Sequence, residues 1–211
     1  MRFRLATPTQ LLGWFLVLAL VTGVSATDTV HALDRTVASV FSQAHGSGID
    51  VFMLSLSELL RPLHLGPAAL VLAALLWWRL RRQALLIPVA FAAATILTYL
   101  MKWVIGRERP GGALALVDLG DAAYPSAHVS TTTATGMATM QVLAPVLARS
   151  LRKLIDAAVI ALIGAVALSR VWVGAHWLSD VIAGLIVGVV GLVVALLVLR
   201  RLPLARRRRF L

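Results

Sequence analysis

The sequence predicts an all-α protein, a polytopic integral membrane bundle of six transmembrane helices that forms one domain over residues 1–211. Three observations lead to this prediction. The chain is 60% hydrophobic and has a mean hydropathy of +0.89, well above the values of a soluble domain. Several apolar stretches approach the roughly 20 residues that cross a bilayer core. Basic residues collect at the ends of alternate stretches.

The predicted spans lie near residues 11–26, 63–78, 84–101, 129–148, 154–168 and 178–199. The first and fifth are short, so their ends are defined only to within a few residues. The first also resembles a secretory signal peptide, because Arg2 and Arg4 precede it and small residues ending at Ala26 would suit cleavage. We favour an uncleaved helix, because cleavage would leave five spans.

The net charge of +11 does not indicate a nucleic-acid partner, because most basic residues fall on one side of the predicted topology. With a cytoplasmic N-terminus, the cytoplasmic segments carry Arg2, Arg4, Arg79, Arg81, Arg82, Arg149, Arg152, Lys153, Arg200, Arg201 and the arginines at 206–209. This is the positive-inside pattern of membrane proteins. The tail is interpreted first as a topology anchor and second as a contact for anionic membrane lipids.

Between 27 and 61 the chain is polar enough to lie outside, and apolar residues from Ile49 to Leu60 recur at helical spacing. This predicts an interfacial helix that either forms one wall of a lipid entrance or simply packs. Arg61-Pro62 ends it or bends it into the next span. The glycines of the last span, Gly184, Gly188 and Gly191, are expected to allow close helix packing within the molecule. The oligomeric state stays open.

Three short strings carry the chemistry. They contain three fixed cations, two imidazoles, a hydroxyl and a carboxylate: Lys102 and Arg109 before Pro110, Ser126 and His128 after Pro125, and Arg170, His176 and Asp180. The predicted topology places all of them in exterior loops or at their edges. This inventory suits the binding of an anion with several oxygens and its transfer through a histidine.

The three cations are assigned to a phosphate pocket, because arginine binds phosphate bidentately and lysine binds it as a point charge. Taken singly, Lys102, Arg109 and Arg170 could equally be interfacial snorkelling residues. Their occurrence together with two histidines favours the pocket. Arg107 has no motif position and is interpreted as a solvent or headgroup contact.

Ser126 stands at a predicted helix start, where unpaired backbone N–H groups and the helix dipole favour an anion. Its hydroxyl can donate to a phosphate oxygen. His176 and Asp180 are four residues apart at the start of the last helix and therefore share a face. A carboxylate there can hold one imidazole nitrogen and leave the other free to attack.

These strings resemble the signature of the type 2 phosphatidic acid phosphatase superfamily, Lys-x6-Arg-Pro, Pro-Ser-Gly-His and Ser-Arg-x5-His-x3-Asp. Residue types, internal spacings and order agree, and the resemblance extends from the first span to the last. One position departs from the pattern, since Ala127 stands where the family usually has glycine. A helical backbone would tolerate alanine there, whereas a positive φ would strain it.

The resemblance implies that His176 is the nucleophile and forms a phosphohistidine, and that Asp180 orients it. It implies that His128 protonates the leaving oxygen and then activates water. No cofactor is implied. The expected partner is a lipid phosphate or pyrophosphate, first undecaprenyl pyrophosphate and otherwise phosphatidylglycerophosphate, phosphatidic acid, diacylglycerol pyrophosphate or lipid A 1-phosphate. The expected location is the bacterial plasma (inner) membrane, with cytoplasmic termini and a periplasmic site.

Four alternatives remain beside hydrolysis. The same pocket could pass its phosphoryl group to another lipid. A zinc site could use His128, His176 and Asp180 with Asp118 or Asp121, although three neighbouring cations would repel the ion, so no metal is predicted. A non-catalytic membrane protein or transporter would leave the motif residues idle. The superfamily also includes soluble vanadium haloperoxidases, but the six predicted spans and the lack of a predicted soluble domain argue against that activity.

Two further observations limit the chemistry that the chain can carry out. The absence of cysteine excludes disulfides and thiolate chemistry. His31, His45 and His64 have no partners at motif spacing and are interpreted as loop or interfacial residues.

Overall fold

The computed structural model describes residues 6–201, where every regular element is helical. The helices α1 to α8 are Pro8–Ser25, Asp28–Ser42, Gly48–Leu59, Pro62–Leu80, Leu86–Ile105, Ala127–Leu143, Arg149–Trp172 and Leu178–Arg201. Two short 3-10 helices, Arg81–Leu85 and Gly112–Leu114, lie before α5 and before α6. The predicted all-α class is confirmed for these residues, and a single domain over 1–211 stays a prediction.

Four segments are long and apolar enough to cross a membrane, namely Pro8–Ser25, Pro62–Ile105, Arg149–Trp172 and Leu178–Arg201. The second of these contains both α4 and α5. Helix α6 has only 17 residues and ends at Leu143, so the predicted span 129–148 extends beyond it. Its buried face includes several threonines, which lowers its hydropathy. Six crossing helices therefore remain a prediction.

Helix α8 lies at the centre of the bundle, and its glycines bring α5 and α6 close. A Cβ at Gly188 would lie 2.5 Å from the Cβ of Thr133 in α6. At Gly191 it would lie 2.8 Å from the Cβ of Ala94 in α5. The predicted intramolecular packing of this glycine face is confirmed, because a larger residue would push the helices apart.

One end of the bundle holds Ala6, the C-terminal end of α8 and the connection between α4 and α5. Ala6, Leu80 and Leu199 belong to one buried cluster there, and Arg82 donates to the backbone oxygen of Leu199 at 3.0 Å. The motif residues lie at the other end. Among the cations predicted to be cytoplasmic, Arg2, Arg4 and those at 206–209 lie outside the described residues.

The segment between α1 and α4 contains two helices where the sequence predicted one. The predicted helix is α3, whose Met53 joins Trp172 of α7 in a buried cluster. Helix α2 was missed, because residues 28–42 mix polar and apolar side chains without a long hydrophobic run. Both helices cover the end of the bundle where the motifs meet.

Candidate active site

Four helix ends bring the motif residues together. Lys102 lies in the last turn of α5, which ends where Gly106 takes a left-handed conformation with φ of +61°. Arg170 lies in the last turn of α7. Ser126 is the residue before α6, and Asp180 lies in the first turn of α8. The connections between these helices therefore place the three strings at one end of the bundle.

A cavity of about 360 Å³ opens between these helix ends and helices α3 and α4. Its polar wall includes Arg109, His128, Arg170 and His176. Its apolar wall includes Leu54, Pro62, Leu63, Tyr99, Val117 and Leu119. Arg61, Glu58 and Asp121 also line the cavity, whereas Lys102 and Ser126 do not. Three arginines against two acids leave the interior with a net positive charge, and its apolar rim includes Leu63, which is 70% exposed.

His176 is buried behind Arg109. The Nη1 atom of Arg109 lies 3.1 Å from Nε2 of His176. Because a guanidinium only donates, Nε2 must accept, and the ring proton resides on Nδ1. That Nδ1 lies 3.5 Å from Oδ2 of Asp180, which is longer than a normal hydrogen bond. Asp180 thus faces Nδ1, and Nε2 faces Arg109. The predicted shared helix face is wrong, because α8 begins at Leu178 and His176 lies before it.

Burial lowers the pKa of His176 well below its ordinary value, and the charges of Arg170, Arg109 and Lys102 lower it further. Each of these effects disfavours the imidazolium ion. The ring is therefore neutral near pH 7, which is the form that carries a lone pair.

Asp121 neutralises two of the cations. Its carboxylate lies 3.0 Å from Nζ of Lys102 and 2.7 Å from Nη2 of Arg109. Burial acts to raise the pKa of Asp121, but its hydrogen bond and ion pair with Lys102 and its ion pair with Arg109 outweigh this and lower the pKa. The sequence suggested Asp121 only as a metal ligand, whereas the structure gives it cationic partners.

Some of the buried polar atoms that lack a hydrogen-bond partner belong to motif residues in or beside the cavity. Within residues 6–201 they include Oγ of Ser126, Nε2 of His128 and Nε of Arg170. Arg170 does donate through Nη1 to the hydroxyl of Ser57 in α3. A buried polar atom without a hydrogen bond costs about 1–3 kcal/mol. A ligand with several acceptor oxygens would offset part of this cost.

Ser126 and Ala127 form the start of α6. The backbone N–H of Ser126 donates to the backbone oxygen of Asp180 at 3.1 Å, which ties α6 to α8. Ser126 itself is extended, with φ of −71°. Ala127 is the first helical residue and does not have a positive φ. Alanine is therefore tolerated at the position where the superfamily usually has glycine.

The sequence interpretation of Arg107 as a solvent or headgroup contact is wrong. Its side chain is only 11% exposed and forms ion pairs of 2.7 Å with both Asp34 and Asp180. His31 lies 3.1 Å from its Nη2 atom, so this histidine does have a partner. Nothing in the motif pattern marks Asp34, because it lies in the helix that the sequence did not predict.

The remaining histidines have backbone partners. His45 contacts the backbone oxygen of Trp172 at 2.8 Å, and His64 contacts that of Glu58 at 2.9 Å. Across the part of the chain that the structure describes, no group of three or more histidine, aspartate or glutamate side chains is arranged to hold a metal ion.

The fold and site define an all-helical protein with a buried, cationic, two-histidine pocket at one end of an apolar bundle. Residues 83–203 match the family model of the PAP2 superfamily. This is more than half of the chain, which therefore belongs to the PAP2 superfamily, a family of phosphatases.

Two solved structures share the fold. The first is a transmembrane PAP2-type phosphatidylglycerolphosphate phosphatase from Bacillus subtilis, with a TM-score of 0.82 and 20% identity, over 93% of this chain and 98% of that one. The second is LpxE from Aquifex aeolicus, with a TM-score of 0.62 and 19% identity, over 78% of this chain and 94% of that one. No curated protein gave a significant sequence match.

Proposed function

We propose that this protein is a membrane lipid phosphatase that hydrolyses a phosphate monoester or pyrophosphate of a lipid through a phosphohistidine at His176. The observation that carries the proposal is the shared cavity of Arg109, His128, Arg170 and His176. It supplies cations for phosphate oxygens and two imidazoles for transfer. The apolar rim supports a lipid as the carrier of that phosphate.

In the first step, Nε2 of His176 attacks phosphorus, and the bond from phosphorus to the leaving oxygen breaks. His128 enters this step as the imidazolium ion, which the negative charge of the bound phosphate stabilises, and donates its proton to that oxygen, so the lipid leaves as an alcohol or as a monophosphate. Asp180 stabilises the proton on Nδ1 as the ring gains positive charge. Arg109, now 3.1 Å from Nε2, redirects its donor to a phosphate oxygen so that the lone pair becomes available.

In the second step, His128 takes a proton from water, and the resulting hydroxide attacks the phosphohistidine. The bond between phosphorus and Nε2 breaks, phosphate is released, and His176 returns to its neutral form. Lys102, Arg109 and Arg170 neutralise the phosphoryl oxygens in both steps. No metal ion is required in this scheme, because the three cations supply the positive charge.

The lipid tail is expected to leave the cavity between α3 and the junction of α4 with α5. Leu63 of α4 and Tyr99 of α5 line the cavity and are 70% and 53% exposed. In a membrane, these exposed side chains would contact acyl or prenyl chains and not water, so their exposure would carry no hydrophobic cost. A headgroup can then enter the cationic interior while its chains stay in the bilayer.

The cavity is expected on the periplasmic side of a bacterial inner membrane. Arg79, Arg82, Arg152 and Arg200 lie at helix ends away from the motif residues. Positive residues concentrate on the cytoplasmic side of membrane proteins. The substrate would therefore be presented in the outer leaflet, which suits undecaprenyl pyrophosphate, our first candidate.

Phosphatidylglycerophosphate is the second candidate, since the Bacillus subtilis neighbour is named for it and shares the fold over nearly its whole length. Phosphatidic acid, diacylglycerol pyrophosphate and lipid A 1-phosphate also present a terminal phosphate on an apolar anchor. Transfer to an acceptor lipid uses the same first step, so acceptor lipids belong in the same assay.

The test is phosphate release by the purified protein from each of these lipids in detergent micelles containing EDTA. We expect turnover of at least one lipid, inhibition by orthovanadate and no loss of activity on chelation. Loss of activity in EDTA with recovery on adding Zn²⁺ or Mg²⁺ would contradict the metal-free scheme. Absence of both release and transfer for every lipid would contradict the phosphatase itself.

A further inference from the structure

A buried ion-pair chain connects α2 to the candidate nucleophile. Arg107 forms two ion pairs through separate nitrogens, Nη1 with Oδ1 of Asp180 and Nη2 with Oδ2 of Asp34, each at 2.7 Å. The Asp34 side chain is 2% exposed and that of Asp180 is fully buried. The planar guanidinium fork fits this arrangement, because it presents donors in two fixed directions.

Asp34 also holds the start of α8. Its Oδ1 accepts from the backbone N–H of Ser179 at 3.0 Å, and its Oδ2 accepts from the Ser179 hydroxyl at 2.5 Å. The Ser179 hydroxyl in turn lies 2.7 Å from Nη1 of Arg107, which donates to it. The residue next to Asp180 is therefore fixed from the side of α2.

The second oxygen of Asp180 faces the imidazole. Oδ2 accepts from the backbone N–H of Trp177 at 2.9 Å and lies 3.5 Å from Nδ1 of His176. Because Arg107 holds Oδ1, rotation of the carboxylate is restricted and Oδ2 stays directed at His176. The Trp177 ring covers the guanidinium at 5.9 Å, which limits access of water to the pair.

We propose that Asp34 and Arg107 are positioning residues that orient Asp180 and, through it, the imidazole of His176. This rests on the proposed function, since it concerns the same nucleophile. Asp34 lies outside residues 83–203, the segment that matches the family model. The N-terminal part of the chain thus contributes to catalysis by fixing the nucleophile and not only by packing.

A purely structural ion-pair chain would act differently. Its loss would reduce the amount of folded protein, so phosphate-binding sites and turnover would decline together. A positioning chain changes the orientation of one imidazole, while the cations that bind phosphate stay in place. Turnover would then decline without a matching loss of binding.

The experiment compares kcat, KM and the binding of inorganic phosphate for the wild type, Arg107→Lys and Asp34→Asn. Lysine keeps the charge but lacks the fork, and asparagine keeps the size but lacks the charge. We expect kcat to decrease by about 10- to 100-fold, the scale of a misplaced catalytic group. KM and the Kd for phosphate should change by less than about threefold.

Two additions separate positioning from folding. In an Asp180→Asn background, Arg107→Lys should lower kcat by less than about twofold, because both residues act through one carboxylate. If Arg107→Lys folds poorly, Ser179→Ala removes only a hydroxyl that contacts both Asp34 and Arg107, and kcat should still decrease a few-fold. Arg152→Lys, which alters an ion pair with Asp156 outside the site, is the matched control and should match the wild type.

The proposal is overturned if Arg107→Lys and Asp34→Asn keep wild-type kcat, or if the effect of Arg107→Lys is fully retained in the Asp180→Asn background. Parallel losses of kcat and phosphate-binding sites would likewise overturn it in favour of a structural role. A wild-type protein without turnover on any lipid would instead contradict the proposed function, so the two failures are distinguishable.

Discussion

The Nζ atom of Lys102 lies 3.0 Å from Oδ2 of Asp121, so a carboxylate of the protein itself pairs with one of the cations assigned to phosphate. The same carboxylate pairs with Arg109 at 2.7 Å. A phosphate oxygen that binds these two cations must compete with Asp121 or share them with it. Asp121 therefore reduces the net positive charge that Lys102 and Arg109 present to a phosphate group.

Replacing Asp121 with asparagine should tighten the binding of inorganic phosphate or orthovanadate by about threefold to tenfold. One partly exposed ion pair gives an effect of this size, roughly 1 kcal/mol. Because the ion pairs with Lys102 and Arg109 lower the pKa of Asp121, its carboxylate stays ionised at neutral pH, and the effect should persist there. Asp118→Asn, in the same loop, is the control of equal charge. Unchanged affinity in Asp121→Asn, or an equal change in both variants, would contradict this account.

The lowered pKa of His176 predicts a pH dependence of stability. A histidine that stays neutral when folded contributes stability above its unfolded pKa of about 6.5, and this contribution is lost as the pH falls below that value. Between pH 7.5 and 5.5 the wild type should lose roughly 1 kcal/mol relative to His176→Gln. The thermal midpoint would decrease by about 2–4 °C relative to the variant.

Measurement of both midpoints in the same detergent checks this, and His128 is present in both proteins. Equal pH dependence of wild type and His176→Gln would show that the folded protein binds this proton as readily as the unfolded chain. The lowered pKa of His176 would then be wrong, and burial could not be the reason that the ring is neutral.

Sidedness can be tested with single cysteines, because the chain contains none. Ala113→Cys places a thiol in the exposed 3-10 helix near the site, and Ser150→Cys places one at the exposed start of α7. In intact spheroplasts, a membrane-impermeant thiol reagent should label position 113 at once and position 150 only after permeabilisation. The reverse pattern would place the cavity in the cytoplasm and exclude a carrier lipid of the outer leaflet.

The sequence predicted the elements that depend on local pattern. Apolar runs predicted helices close to α1, α4, α5, α7 and α8, and motif spacing predicted that Lys102, Arg109, His128, Arg170 and His176 would meet. His176 lies just before α8, which begins at Leu178, and Asp180 faces it because Oδ2 of Asp180 accepts from the backbone N–H of Trp177 at the start of that helix. These features need little knowledge of the tertiary structure.

Other features depend on contacts that no local pattern encodes. Asp34 lies about seventy residues before Arg107, in a helix with no strong hydrophobic run, so its pairing appears only when α2 covers the start of α8. Arg107 is two residues from Arg109, yet the left-handed Gly106 and the loop that follows direct the two side chains to different partners. Asp121 is likewise defined by the cations that the fold brings to it.

The covalent intermediate on His176 is the central claim, and trapping it is the most direct test. The wild type would be mixed with a lipid that carries a radiolabelled terminal phosphate and quenched in alkali, where phosphohistidine survives. We predict label on the wild-type chain that is lost in acid, with neither label nor turnover in folded His176→Ala, whose rate should decrease about 10⁴-fold or more. Normal phosphate release by folded His176→Ala would contradict the account.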